Sequence, residues 1–426
     1  MKRFFTFIIL IIITFNAASA LQLDSYEEKD YRDEVKTVLF HPTASDRAKP
    51  IVKIDEIISS LYLQFDIIGT EAPYLYYTFI HCTHDWKPSD LREIEYIDGF
   101  TSNEITEFTF SRNTLIDYVH YDFIFPTEDM IPKLSGNYLL VVYADNDPSP
   151  ENIYFTRRFM VLENLSSISM EIPRYPYDLN LGTNVHQVKV EATYPEMFNS
   201  RAAEYSNLTI QQNGRIDNIV EGLKPTFVYP DKMTYENSPA TVFMPGNQYR
   251  HFNTSNLRNR PEKTKSVIRG DENIIVTLED DYKLNLHAYV DEDDLLGEKY
   301  IFLERKDYDI RFEGDYVTVK FFLKWSPEMA DKDVYILGAV NDWRLNDHSL
   351  MSYNSKRKGY ECKMLLKQGV YDYTFAVTDK GARQGELGTV NGDYWETVCQ
   401  YTAMLYYYNV NMGYDMLIGV ATAMSH

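Results

Sequence analysis

The chain has 426 residues and carries 63 Asp and Glu against 42 Lys and Arg, a formal net charge of −21. Such acidity repels nucleic acid and anionic lipid headgroups. Its 35 Tyr and 23 Phe exclude a disordered chain and favour strands over helices, and three Cys are too few for a disulfide scaffold.

The first element is a leader. Met1-Lys2-Arg3 is a short basic start, residues 4–15 are apolar except for Thr6 and Thr14, and Ala18-Ser19-Ala20 supplies small residues for cleavage between Ala20 and Leu21. The apolar run is shorter than the ~20 residues that cross a bilayer. No Cys follows it to carry a lipid, and charged residues interrupt every later apolar stretch. The expectation is a secreted chain with no direct membrane insertion. The remainder is long enough for two to four domains at ~100–200 residues each.

Residues 21–162 read as a run of short strands. Residues 61–66 alternate in the period of a half-buried strand, and 74–82 form a long aromatic strand after Pro73. Segments 105–110, 119–125, 138–144 and 154–162 follow, separated by turn residues such as Ser135-Gly136-Asn137. Residues 163–167 read as a linker. A second β unit is expected over 163–295, with strands at 187–192, 208–215 and 273–278, an exposed polar loop at 253–266, and an acidic exit at 291–294. A third unit, 296–426, carries strands at 316–323, 334–340, 360–366, 370–377 and 401–409. Helical patterns between the strands, which an α/β enzyme needs, are missing. The fold class expected is all-β: three consecutive antiparallel, immunoglobulin-like β-sandwich domains.

Catalytic signatures are absent: there is no G-x-S-x-G elbow, H-E-x-x-H, P-loop or post-strand G-x-G-x-x-G. The reading is a non-enzyme without catalytic, cofactor-binding or metal-binding residues. His81-Cys82-Thr83-His84 has metal-ligand character, but on a strand His81 and Cys82 point to opposite faces, so two incidental imidazoles at a strand end are expected. The acidic run Asp291-Glu292-Asp293-Asp294 lacks the ligand spacing and Gly of a calcium loop and reads as a solvated turn. Cys362 and Cys399 lie in the same C-terminal region and are candidates for a disulfide in an oxidising compartment, with buried thiols on strands as the other reading; Cys82 reads as core.

Residues 334–343, ending Gly338-Ala339-Val340-Asn341-Asp342-Trp343, with Met351, Gly359 and 369–375 downstream, resemble the glycogen-binding type of carbohydrate module. There an exposed Trp343 could stack on a sugar face. The second stacking Trp has no clear counterpart, so Trp343 reads as a packing residue, and a secreted carbohydrate-binding protein is the alternative function.

A wider resemblance is densest in the first domain. It rests on residues 76–82, Trp86-Lys87-Pro88-Ser89-Asp90-Leu91, 95–100, Ser111-Arg112-Asn113-Thr114, Tyr118-Val119-His120-Tyr121, Pro126 and 135–138. The second domain adds Pro245-Gly246-Asn247-Gln248-Tyr249-Arg250 and Phe252, and the third adds the Gly338 to Trp343 turn and 414–419. Asn253 stands where an acid is expected. Together these resemble the plug protein family of the type IX secretion system of Bacteroidetes. The resemblance implies a periplasmic protein, associated with the outer membrane through a partner, the giant translocon barrel, whose periplasmic end it closes when idle. It implies no individual contact residues, and says nothing of self-association.

Overall fold

Leu61, Leu63 and Phe65 are buried while Tyr62 and Gln64 are half-buried, the period-two pattern that makes one face of a strand apolar. The computed structural model describes residues 23, 25–194, 201–258, 261–284, 289–291 and 293–426. The expected cleavage point, Ala20 and Leu21, and Glu292 of the acidic run lie outside the described residues.

The N-terminal sandwich comprises β1 (Lys29–Asp30), β2 (Val35–Pro42), β3 (Leu61–Ile68), β4 (Leu75–Cys82), β5 (Phe108–Phe110), β6 (Tyr118–Phe125), β7 (Gly136–Ala144) and β8 (Ile153–Leu162). One sheet runs β2-β3-β6-β5, and it faces β4, β7 and β8. Aromatic rings fill the space between: Phe65 stacks on Tyr121 at 5.1 Å, and Phe159 on Tyr138 at 5.1 Å. All nine residues of β7 are buried. Its second face is covered too, by a smaller cluster around Leu23, Tyr143 and Ile153. That is why this strand reads as a continuous apolar run.

The middle unit contributes β9 (Lys189–Thr193), β10 (Ser206–Gln212) and β11 (Lys232–Tyr235). The third comprises β12 (Arg250–Asn253), β13 (Thr264–Arg269), β14 (Ile274–Leu278), β15 (Tyr316–Lys324), β16 (Lys332–Leu337), β17 (Ser352–Asn354), β18 (Gly359–Lys367) and β19 (Val370–Asp379). The chain ends in a hairpin of β20 (Gln400–Asn409) and β21 (Tyr414–Met424).

Two boundaries differ from the expected 163–295 and 296–426. The third sandwich already starts at β12, which pairs with β19, and takes β13 and β14 into its five-stranded sheet β13-β14-β15-β18-β17. The terminal hairpin leaves that sandwich: β20 pairs with β10, and Tyr401, Ala403, Leu405, Tyr414 and Ile418 complete the middle core with Val190, Leu208 and Tyr235. The middle unit buries a core only by borrowing these strands from the end of the chain. The polar loop expected over 253–266 is likewise shorter, because Thr254 is buried with its hydroxyl on the Gly369 carbonyl and β13 begins at Thr264.

The architecture is all-β, and most pairs are antiparallel. Exceptions are β14 beside β15, β8 beside β21, and β8 beside residues 51–53, which run parallel. The second exception fuses two units into one ten-stranded sheet, β10-β20-β21-β8-β7-β4 with short strands at its margins. The seam is sealed where Leu165 and Ser166 N–H groups donate to the Ile418 carbonyl at 2.9 and 2.8 Å.

Candidate functional site: the buried junctions

Four of the strands carry charged residues inside apolar sequence: Asp66 in β3, Arg157 and Arg158 in β8, Lys367 at the end of β18 and Asp415 in β21. All but Arg158, which donates to the Tyr26 carbonyl of its own unit, meet a neighbouring unit. A buried charge is tolerated only when it is paired and hydrogen-bonded.

Between the N-terminal and third sandwiches, Lys367 Nζ lies 2.6 Å from Asp66 Oδ2, and both residues are buried. The Tyr316 hydroxyl donates to the same oxygen, His120 Nδ1 approaches the other at 2.7 Å, and Thr37 Oγ1 lies 2.6 Å from the Tyr316 hydroxyl. Tyr118 closes the contact by donating to the Gly314 carbonyl while its ring lies under the Lys367 ammonium. Burial alone would raise the Asp66 carboxyl; Lys367 and His120 overcome it and hold the group below its ordinary range.

A second cluster joins the same two units. Arg157 and Arg344 reach the two oxygens of Asp30 at 2.8 and 3.0 Å, and Lys299 reaches Asp342 at 2.6 Å. Against the upward push of burial, Lys299, Arg344 and Arg157 hold the Asp342 carboxyl far below the usual carboxylate range. Nearby, Lys49 from the first unit donates to the Asn213 carbonyl at 3.1 Å and to Thr402 at 3.2 Å, so one side chain bridges to the middle unit; burial pushes its ammonium down to about 8.

Trp343 marks the junction of the middle and third units. It is only 6% exposed, crosses Tyr249 edge-on at 5.8 Å, and lies directly over Gly214 and Gly297. A Cβ added at Gly214 would sit 2.2 Å from the indole nitrogen. The surface a sugar would need is therefore occupied, and the glycan-stacking role weighed for Trp343 is overturned by its burial. Arg215, paired with Asp217 at 2.7 Å, donates to the Gly385 carbonyl across the same boundary.

At the fused sheet, Asp415 accepts from the His84 backbone N–H at 2.9 Å and meets the His84 ring at 3.0 Å. His81 packs against Tyr414 and contacts the Ser135 carbonyl, and burial pushes its imidazole down to about 4. Both histidines of the 81–84 cluster are thus structural. Among the described residues no group of three His, Cys, Asp or Glu is placed to hold a metal. Asp294 is also structural: it accepts from the Tyr249 N–H at 2.8 Å and the Leu296 N–H at 3.0 Å.

All three thiols are free and buried, which corrects the disulfide considered for Cys362 and Cys399. The cysteines belong to different cores because the terminal hairpin leaves the third sandwich: Cys362 meets the His348 carbonyl, Cys399 the Pro245 carbonyl. Burial raises both thiols, Cys362 to about 11 and Cys399 to about 12.

These junctions weld three cores into one body, and the first of those cores is the decisive region for relationship. Residues 35–163 match the family model described as the first domain of the type 9 secretion system plug protein. That first core is thus similar to a type IX secretion plug domain. Such a plug is a component of secretion, and its family is not a known enzyme family. The rest of the chain has a structural relative as well. A crystal structure of a hypothetical protein from Parabacteroides merdae is 27% identical, covers 95% of this chain and 100% of its own, and superposes with a TM-score of 0.89. The fold is therefore shared over 95% of this chain. Alpha-2-macroglobulin of E. coli also aligns, at 8% identity over 95% of this chain and 23% of that chain, with a TM-score of 0.18 that carries no argument. No curated protein matches. Among the described residues, no helix is long and apolar enough to cross a membrane.

Proposed function

We propose that this plug closes the periplasmic end of the outer-membrane translocon barrel of the type IX system while the channel is idle. The observation that carries the reading is mechanical. One sheet spans two cores, and the third core is clamped to the first by two buried ion clusters. A wide pore needs a stopper that does not deform, and the ion pairs that cross the junctions tie the units together, since separating them would strip Lys367 from Asp66 and Arg344 from Asp30. The family match over residues 35–163 supports the secretion context, and the leader expected at residues 1–20 supports export.

The test is purification of a tagged translocon barrel from cells lacking its cargo-shuttle partner, with the plug's own gene intact or deleted. The plug should co-purify stoichiometrically, and its deletion should make idle cells leaky to large solutes. Absence of the complex, together with unchanged permeability, would refute the reading.

A further inference from the structure

An open sheet edge lies in a basic cleft between the N-terminal and third sandwiches. β18 is bonded along its whole length to β15, but on its other side β17 pairs only with Gly359, Tyr360 and Glu361. From Cys362 to Lys367 no strand among the described residues covers that edge. The bond from the Trp325 N–H to the Lys358 carbonyl fixes the phase of the ladder. Even-numbered residues of β18 bond to β15, so the N–H and C=O groups of Lys363 and Leu365 face the uncovered side. That side is a cleft of about 850 Å³ whose far wall is Val35, Lys36 and Thr37 of β2, itself the edge of its sheet.

The charge of the cleft opposes that of the protein. Lys320 and Lys363 stand directly opposite each other on β15 and β18, and both line the cleft. Two like charges in a cross-strand pair destabilise a sheet. Neither ammonium has an ion-pair partner among the described residues. Lys36 lines the same space, as does Arg357, which is paired with Asp280 and Glu361, and the lining carries seven Lys and Arg against four Asp and Glu, in a chain of net charge −21.

We propose that this edge is a binding site for an extended acidic segment of a partner protein, added to β18 as a further strand. Its backbone would answer the open groups of Lys363 and Leu365, and a carboxylate opposite Lys363 would relieve the Lys320 repulsion. Strand addition of this kind takes affinity from main-chain bonds and selectivity from alternate side chains. The site is independent of the plug reading, since its test needs only the purified chain.

The experiment is fluorescence anisotropy with the full-length purified protein and a short labelled peptide of alternating Glu and Val. Saturable binding is expected. It should weaken about tenfold or more with Lys363→Glu, whose melting temperature should not fall because the Lys320 repulsion is removed. Lys in place of Glu in the peptide, or N-methylation of its alternate amides, should abolish binding. Failure of the Glu-Val peptide to saturate at millimolar concentration would overturn the proposal. So would equal binding of the N-methylated peptide, which would mean that the cleft takes only loose anions. So would self-association that Lys363→Glu abolishes, which would make a second copy the occupant. A proline at Leu365 removes an edge N–H without touching the β15 ladder and should reproduce the loss; the N-methylated peptide decides the same point if that variant does not fold.

Discussion

Lys367 and Asp66 meet at 2.6 Å across the boundary between two sandwiches, one from the end of β18 and one from the middle of β3. With both side chains out of water, removing either partner strands a charge. Lys367→Met should lower stability to urea by about 3–5 kcal/mol, and adding Asp66→Leu should recover part of that. A loss below about 1 kcal/mol for the single variant, the size of a surface pair, would show that the junction is wet.

Two buried histidines should loosen the molecule in acid, against an opposing pull from Asp372, whose carboxyl is pushed up to about 7 by burial. His81 and His186 are buried, and burial lowers each to about 4 from an ordinary 6.5. The unfolded chain therefore binds protons that the folded one refuses between those values. Their contribution is complete above pH 6.5 and is lost as pH falls toward 4, by up to ~3 kcal/mol each. His84, raised through its bond to Asp415, acts oppositely, contributing below 6.5 and losing its effect as pH rises through its folded value. Asp66 and Asp342, both lowered, add a further loss only below about pH 4. Melting temperature followed from pH 7 to 4.5 should fall, and more gently when His81 and His186 are both replaced by Gln. An unchanged slope in that variant would place the titration elsewhere.

The Trp343 contact predicts intolerance at a glycine rather than at a sugar. Gly214→Ala should cost about 1–3 kcal/mol, because its methyl would lie 2.2 Å from the indole. Migration of the protein through glycogen-containing gels should not change between the parent chain and Trp343→Phe. Retardation that depends on Trp343 would restore the carbohydrate reading.

Ending the chain after Val398 should unfold the middle unit. It removes Cys399, Tyr401, Ala403, Leu405, Tyr414 and Ile418 from that core and leaves β10 without its main partner. Hydrogen exchange should show rapid exchange for β10 amides in the truncated protein. Protection equal to that of the full chain would mean that the core closes without the hairpin.

Much of this was readable in advance. Alternation at Leu61, Leu63 and Phe65, and the aromatic run before Cys82, placed β3 and β4, and the turn at Gly136 placed β7. Partnership was not readable. Tyr401, Ala403 and Leu405 mark one buried face of β20, yet nothing local says that its ladder partner is β10 rather than β19. The same gap moved the start of the third sandwich back to Arg250 and suggested a disulfide between two cysteines that belong to separate cores. The junction residues did leave a signal: an acid at 66 and an arginine at 157, each within an apolar strand, are charges whose partners include Lys367 and Asp342 of a neighbouring unit.

The returning hairpin also sets a schedule. A ribosome or translocase that delivers the N-terminus first leaves residues 166–244 with half a core and a bare strand until the final segment emerges. Closure over so long a span is slow and exposes sticky edges meanwhile. Maturation is consequently all-or-nothing for that region. A polypeptide cut short near its end is not a slightly smaller version of the same body but an open substrate for chaperones and quality-control proteases.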